Sequence, residues 1–186
     1  IIIGGTAIET LIGLAEVTTI GSSLVIGFNP FLKNLDGLAQ LTKIEQAINL
    51  GSNPVLTDIS GLRNLKEVST ILMSACPINN LTVFSNLEGT NLNELSLTAM
   101  SQLESLDGLE NIESINVVGS EVERGVLLLG GNPVLKDISA LENLVSVVSL
   151  RIDQNASLSD CCAISHLIDD DPNNGSVTGS INISNN

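Results

Sequence analysis

The sequence predicts a repeat solenoid of about seven turns, built on one parallel β-sheet of short strands with 3₁₀, short-helical or extended segments on the opposite side. Three observations predict it. Asn-Pro dipeptides recur at a near-constant interval, with Asn29-Pro30 and Asn53-Pro54 24 residues apart and Asn132-Pro133 23 residues before Asn155. Each opens a similar phrase: NPFLKNLDGLAQLTKI from Asn29, NPVLTDISGLRNLKEV from Asn53 and NPVLKDISALENLVSV from Asn132. Each phrase is followed by a three-residue apolar alternation.

The phrase comes first in each turn. Its apolar residues, Leu35, Leu38, Leu41 and Ile44 in one copy, recur every third position, which suits a 3₁₀ or single-turn helical segment or an irregular extended edge. Leu103–Ile115 (LESLDGLENIESI) and Ile8–Ile20 (IETLIGLAEVTTI) are further copies, Ile78–Leu87 is a degenerate one, and Cys161-Cys162-Ala163-Ile164 stands where others have Leu-Asp-Gly-Leu.

The strand comes second. Leu24/Ile26, Ile48/Leu50, Ile71/Met73, Leu95/Leu97, Leu127/Leu129, Leu150/Ile152 and Ile181/Ile183 are spaced by two, so both members of each pair point inward and the residue between them outward. One strand per turn stacks into a parallel sheet.

A polar column comes third. Three residues after the second inward position stand Asn29, Asn53, Cys76, Met100, Asn132, Asn155 and Asn186. A buried Asn donates and accepts at once, so a stacked row of them satisfies backbone groups where every turn bends alike. Cys76 fits this row as a small substitute. Met100 does not, which makes the fourth turn the expected irregular one.

Residues 1–186 form a single domain on this reading, with about 155–186 as a closing repeat. The 43% hydrophobic content is almost wholly Leu, Ile and Val, with no Trp, no Tyr and three Phe, as suits a core that repeats one layer. The net charge of −14 repels phosphate backbones and anionic lipid, so nucleic acid is excluded as a partner. Such charge serves solubility, or attracts a cation or a basic partner. No apolar run reaches the ~20 residues of a membrane span. The start, Ile1-Ile2-Ile3-Gly4-Gly5, lacks signal-peptide features, and both ends read as cut, not capped.

The phrase Leu-x-x-Leu-x-Gly-Leu-x-x-Leu-x-x-Ile, with Asn-Pro-x-Leu after the strand, resembles the receptor-L-domain-like leucine-rich repeats of secreted and surface bacterial proteins, notably of Bacteroidota. The likeness covers nearly the whole chain and implies an extracellular or cell-surface location. The segment LSDCCAISHLIDDDPNNGSVTGSINISNN resembles that group's closing repeat. The chain departs from the general consensus by placing Leu three residues after Asn, and from the group at Met100 and in a long fifth turn.

Cys76 lies three or more rungs from Cys161, a gap of ~15 Å against the ~7 Å a disulfide tolerates, so it is expected to be a free, buried ladder residue. Cys161 falls in an inward column and Cys162 in an outward one. The resemblance implies that one of them bonds a Cys beyond residue 186. A strained vicinal disulfide, two thiols or a metal site are the alternatives, the last lacking the usual ligand spacing.

Candidate sites follow from what the repeat leaves over. His166, the only histidine, lacks the oriented base and third group a Cys-His hydrolase needs, so no catalytic residue and no cofactor are expected. Asp169, Asp171 and Asn173 echo a calcium loop, but Gly175 comes one residue late and no downstream Glu completes it. The fifth turn spans 32 residues from Leu106 to Ile138 against 22 to 25 elsewhere, so about eight must leave as a loop near Asn116–Gly125, with Val117, Glu121, Glu123 and Arg124 as binding candidates. The outward strand column supplies Asn49, Leu72, Ser96, Leu128 and Arg151, beside a column of small residues: Gly27, Gly51, Ser74, Thr98, Gly130, Asp153 and Ser184. That surface reads as flat and without aromatic anchors. Of the glycosylation sequons at Asn80, Asn155, Asn174 and Asn182, the one at Asn155 belongs to the buried row. The sequence thus points to a recognition or adhesion module for a protein or glycan, without membrane insertion. Self-association into a surface layer or filament is the alternative, and ice binding a distant third for want of a regular Thr array.

Overall fold

The first six apolar alternations form strands whose paired members enter the core, whereas the expected inward pair Ile181/Ile183 is 50% and 37% exposed, because no described strand pairs with it on its far side. The structure, a computed structural model that describes residues 1–5, 7–116, 125–169 and 175–186, contains β1 (Ile2–Gly4), β2 (Leu24–Gly27), β3 (Ala47–Gly51), β4 (Thr70–Ser74), β5 (Glu94–Thr98), β6 (Val126–Gly130), β7 (Ser149–Asp153) and β8 (Ile181–Ser184). These pair side by side in chain order as one eight-stranded parallel sheet. The register never slips: Leu24, Ile48, Ile71, Leu95, Leu127, Leu150 and Ile181 lie opposite one another. A one-residue slip would turn every inward Leu and Ile to solvent, so the alternation itself holds the register.

Seven strands were expected and β1 is the eighth. In Ile1-Ile2-Ile3 no polar residue marks the outward position, yet Ile2 is 84% exposed and Ile3 packs against the core.

On the opposite edge, Asn91–Leu92, Ser114–Ile115, Ser146–Val147 and Ser176–Val177 form a narrow parallel sheet, and Thr19–Ile20 pairs with Lys43–Ile44. Between the edges run 3₁₀ turns at Ile12–Leu14, Asp36–Leu38, Ser60–Leu62, Thr82–Asn86, Ser139–Leu141 and Cys162–Ile164, the last continued by a short α-helix, Ser165–Ile168. The architecture is therefore mostly parallel sheet with little helix. Leu35, Leu38, Leu41 and Ile44 close the core against the strands, each 1% exposed or less.

Two glycines permit the turns to nest. A Cβ on Gly37 would lie 1.9 Å from the Leu11 carbonyl oxygen, and one on Gly61 1.9 Å from that of Leu35. Any side chain there would force the passes apart.

Every strand ends in a left-handed residue that turns the chain inward. The column is Gly5, Phe28, Ser52, Ala75, Ala99, Gly131, Gln154 and Asn185, with φ between 50 and 70. Six of these are not glycine.

The polar column follows immediately, and its bonding runs from pass to pass. The Asn29 N–H and Nδ2 both donate to Asn53 Oδ1, at 3.1 Å each, while Asn53 Nδ2 donates to the Ile26 carbonyl at 2.9 Å. Cys76 continues the row: its buried thiol lies 3.8 Å from Asn53 Nδ2 and 3.3 Å from the Ser74 carbonyl it donates to. Asn132, Asn155 and Asn186 repeat the pattern, each donating to a strand carbonyl, of Leu97, Leu129 and Ile152. Met100, expected to disturb its turn, is fully buried and its N–H donates to Asn132 Oδ1 at 2.9 Å. The irregularity lies further on: the phrase at Leu106–Leu109 forms no 3₁₀ turn among the described residues, and Gly108 adopts φ 108.

Candidate functional site

The candidate surface is the outer face of the eight-stranded sheet, because alternation leaves every second strand residue pointing away from the core. Its middle column runs Val25, Asn49, Leu72, Ser96, Leu128, Arg151 and Asn182, aligned strand by strand. All are partly or fully exposed, so the structure brings the sequence-predicted Asn49, Leu72, Ser96, Leu128 and Arg151 into one row. Flanking them are Ala47, Thr70, Glu94, Val126 and Ser149 on one side, and Gly27, Gly51, Ser74, Thr98 and Gly130 on the other.

The face is sparsely charged, as the whole chain is: its outward positions carry Glu94, Arg151 and Asp153, a net of −1. Arg151 and Asp153 neutralise each other, with Nε to Oδ1 at 3.1 Å and Nη2 to Oδ2 at 2.9 Å. That hydrogen-bonded carboxylate raises the Arg151 pKa above its ordinary value. Asp153 was expected to extend the open column of small residues; it is 7% exposed beneath the guanidinium instead. Residues two apart on a strand share a face, so the pairing follows from position.

An aromatic edge adjoins this face. Phe28, directly after β2, is 73% exposed, Phe31 is 54% exposed, and Val55, at the Phe31 position one pass later, is 37% exposed. Only Phe84 of the three phenylalanines is buried. The outward strand columns themselves hold no aromatic residue; Phe28 stands beside them, in the left-handed turn that ends β2. The signal for Phe28 was the left-handed column, whose other members are small or polar.

Polar residues that tie the passes together lie away from the strand face. Asn64, Asn86, Asn111 and Asn143 each donate Nδ2 to a carbonyl of the preceding pass, of Ala39, Arg63, Ser85 and Glu110, at 2.7–3.0 Å. Ahead of the 3₁₀ turns, Asp58, Asp137 and Asp160 accept the N–H of Ser60, Ser139 and Cys162. Those bonds lower the carboxyl pKa values of Asp58 and Asp137, and at Asp160 the Cys162 thiol does so ahead of the backbone N–H. Lys43 pairs with Glu45 and Glu67, Lys66 with Glu88 and Lys136 with Glu104, so most described basic side chains are already compensated.

No protein-family model matches the chain, and no curated protein or solved structure matches it.

The remaining sequence candidates are distributed as follows. Val117, Glu121, Glu123 and Arg124 lie outside the described residues, as do Asp171 and Asn173; Asp169 is exposed just after the short helix. No group of three metal-ligating side chains occurs among the described residues. Cys76, Cys161 and Cys162 are free thiols. Burial pushes the Cys76 and Cys161 thiols up, and the Asp160 carboxylate does so at Cys162. His166 Nε2 lies 2.6 Å from the Leu144 carbonyl, to which it donates. Asn80 and Asn182 are exposed and Asn155 is buried. No helix among the described residues is long and apolar enough to cross a membrane.

Proposed function

We propose that the chain is a leucine-rich-repeat solenoid of the receptor-L-domain-like kind, working outside the cell as a recognition or adhesion module. Its contact surface is the outer face of β1–β8, and the fifth-turn segment holding Val117, Glu121, Glu123 and Arg124 is a second contact region. The observation that carries this reading is the aligned row of partly or fully exposed side chains on that face, Val25, Asn49, Leu72, Ser96, Leu128 and Arg151, with the exposed Phe28 and Phe31 beside it. The repeating phrase, the single register and the Asn column support the solenoid.

The reading assigns no catalysis. Thiols held protonated are poor nucleophiles, and a His engaged by a backbone carbonyl is not positioned as their base.

The test is an array of immobilised extracellular-matrix proteins and glycans, probed with the chain and with Leu72→Glu/Leu128→Glu. Saturable binding that the double variant loses, at an unchanged melting temperature, is the expected result. Equal binding by the variant refutes the surface, and a polymeric particle by light scattering replaces recognition with assembly.

A further inference from the structure

Phe28 carries two penalties that its counterparts avoid. Its backbone is left-handed at φ 57, a region that crowds a bulky side chain, and its ring is 73% exposed. The same position elsewhere holds Gly5, Ser52, Ala75, Ala99, Gly131, Gln154 and Asn185, all small or polar. Packing does not account for an aromatic there, since most of the ring meets solvent. With Phe31 and Val55, Phe28 makes an apolar edge of roughly 300 Å², taking a phenyl side chain as about 200 Å². That edge suits the C–H faces of one or two sugar rings.

The neighbouring column has a matching pattern. From Val25 it reads Val25, Asn49, Leu72, Ser96, Leu128 and Arg151, apolar and polar in alternation on six successive strands, with Ile2 before Val25 and Asn182 after Arg151 outside the pattern. Strands lie about 4.8 Å apart, so hydrogen-bonding groups and aliphatic patches alternate along a straight line across the sheet. An extended linear polysaccharide has the complementary character, with C–H faces and hydroxyl edges succeeding one another along its length. Charge selects further: Glu94 and the net −14 repel uronate and sulfate groups, and the one cation of the face, Arg151, is already held by Asp153.

We infer that this face, with Phe28 and Phe31 at its edge, binds a linear, uncharged polysaccharide laid across the strands. The inference rests on the recognition reading and specifies its ligand class. The structural role of Phe28 is separable from binding, because glycine adopts φ 57 without strain.

The experiment is titration calorimetry and affinity electrophoresis with cellohexaose, xylohexaose, mannohexaose and chitohexaose, and with polygalacturonate as the anionic control. One or more neutral oligosaccharides bind, polygalacturonate does not, and Phe28→Gly and Phe31→Ala each weaken binding at least about ten-fold, the scale of a hot-spot contact. Phe28→Gly melts no lower than the unaltered chain, which separates lost binding from lost fold. Failure of every neutral oligosaccharide to bind, preference for polygalacturonate, or wild-type affinity in Phe28→Gly overturns the inference. A protein ligand captured on the array and lost in Leu72→Glu/Leu128→Glu, with no oligosaccharide bound, overturns the inference and leaves recognition standing.

Discussion

Asn132→Leu is the sharpest test of how the passes are held together. Asn132 is fully buried; its Oδ1 accepts the Met100 N–H at 2.9 Å and its Nδ2 donates to the Leu97 carbonyl at 3.0 Å. Leu is similar in size but offers neither group, so two buried backbone groups lose these partners. Each such loss costs about 1–3 kcal/mol, and the added apolar contact of Leu offsets part of it, leaving roughly 3 kcal/mol of destabilisation. For a chain of this length that lowers the melting temperature by about 6–12 °C. The local readout is amide exchange at Met100, whose protection in the intact chain depends on the Asn132 oxygen. Thermal unfolding by circular dichroism gives the first quantity and hydrogen–deuterium exchange the second. A melting temperature within about 1 °C of wild type, with Met100 still protected, would refute the ladder as the inter-pass bond.

Gly61→Ala and Gly13→Ala form a contrasting pair. A Cβ on Gly61 meets the Leu35 carbonyl oxygen at 1.9 Å, so the substitution is expected to destabilise by about 3 kcal/mol; nothing lies within 4 Å of one on Gly13, where stability should rise by about 0.5–1 kcal/mol. Equal effects at both sites in urea unfolding would contradict the nesting of the 3₁₀ turns. The acid limb of stability tests the turn caps. Asp58, Asp137 and Asp160 have folded pKa values below their unfolded ones, so their contribution is present above an unfolded value of about 3.9 and is lost as pH falls through the folded values. Asp137→Asn keeps an acceptor for the Ser139 N–H but cannot titrate, so stability should fall less steeply below about pH 4 than in the unaltered chain. An acid limb of undiminished slope would show that the cap is not the source.

What could be read from the sequence was whatever obeys a period in one dimension. The pairs from Leu24/Ile26 to Ile181/Ile183 reappear as a single register, buried in all but the last, and the Asn column, with Cys76 inside it, bonds as a stacked row of donors and acceptors should. What escaped notice depends on where one pass meets the next. Asn64, Asn86, Asn111 and Asn143 stand at matching places in their phrases, yet an Asn beside a turn reads as a solvated residue until its Nδ2 is seen to reach a carbonyl on the preceding pass. β1 was hidden because three consecutive isoleucines contain no alternation. Phe28 was counted as composition, since its exposure follows from a left-handed turn that small residues elsewhere in the column adopt without drawing attention.

The placement of these devices bears on function. The Asn column lies within the core, the second Asn row, the Asp caps and the Lys136–Glu104 pair lie at or beside the 3₁₀ turns, and the pairs of Lys43 and Lys66 lie at the far edge. On the strand face the Arg151–Asp153 pair joins residues of one strand and ties no passes together. The face therefore contributes little side-chain bonding between passes, and the backbone ladder would hold with almost any exposed residue there. Folding alone does not require that Val25, Leu72 and Leu128 alternate with Asn49, Ser96 and Arg151, nor that an exposed phenylalanine stand in a left-handed turn. The proposed contact with a ligand across the strands would account for the alternation and the exposed Phe28 together.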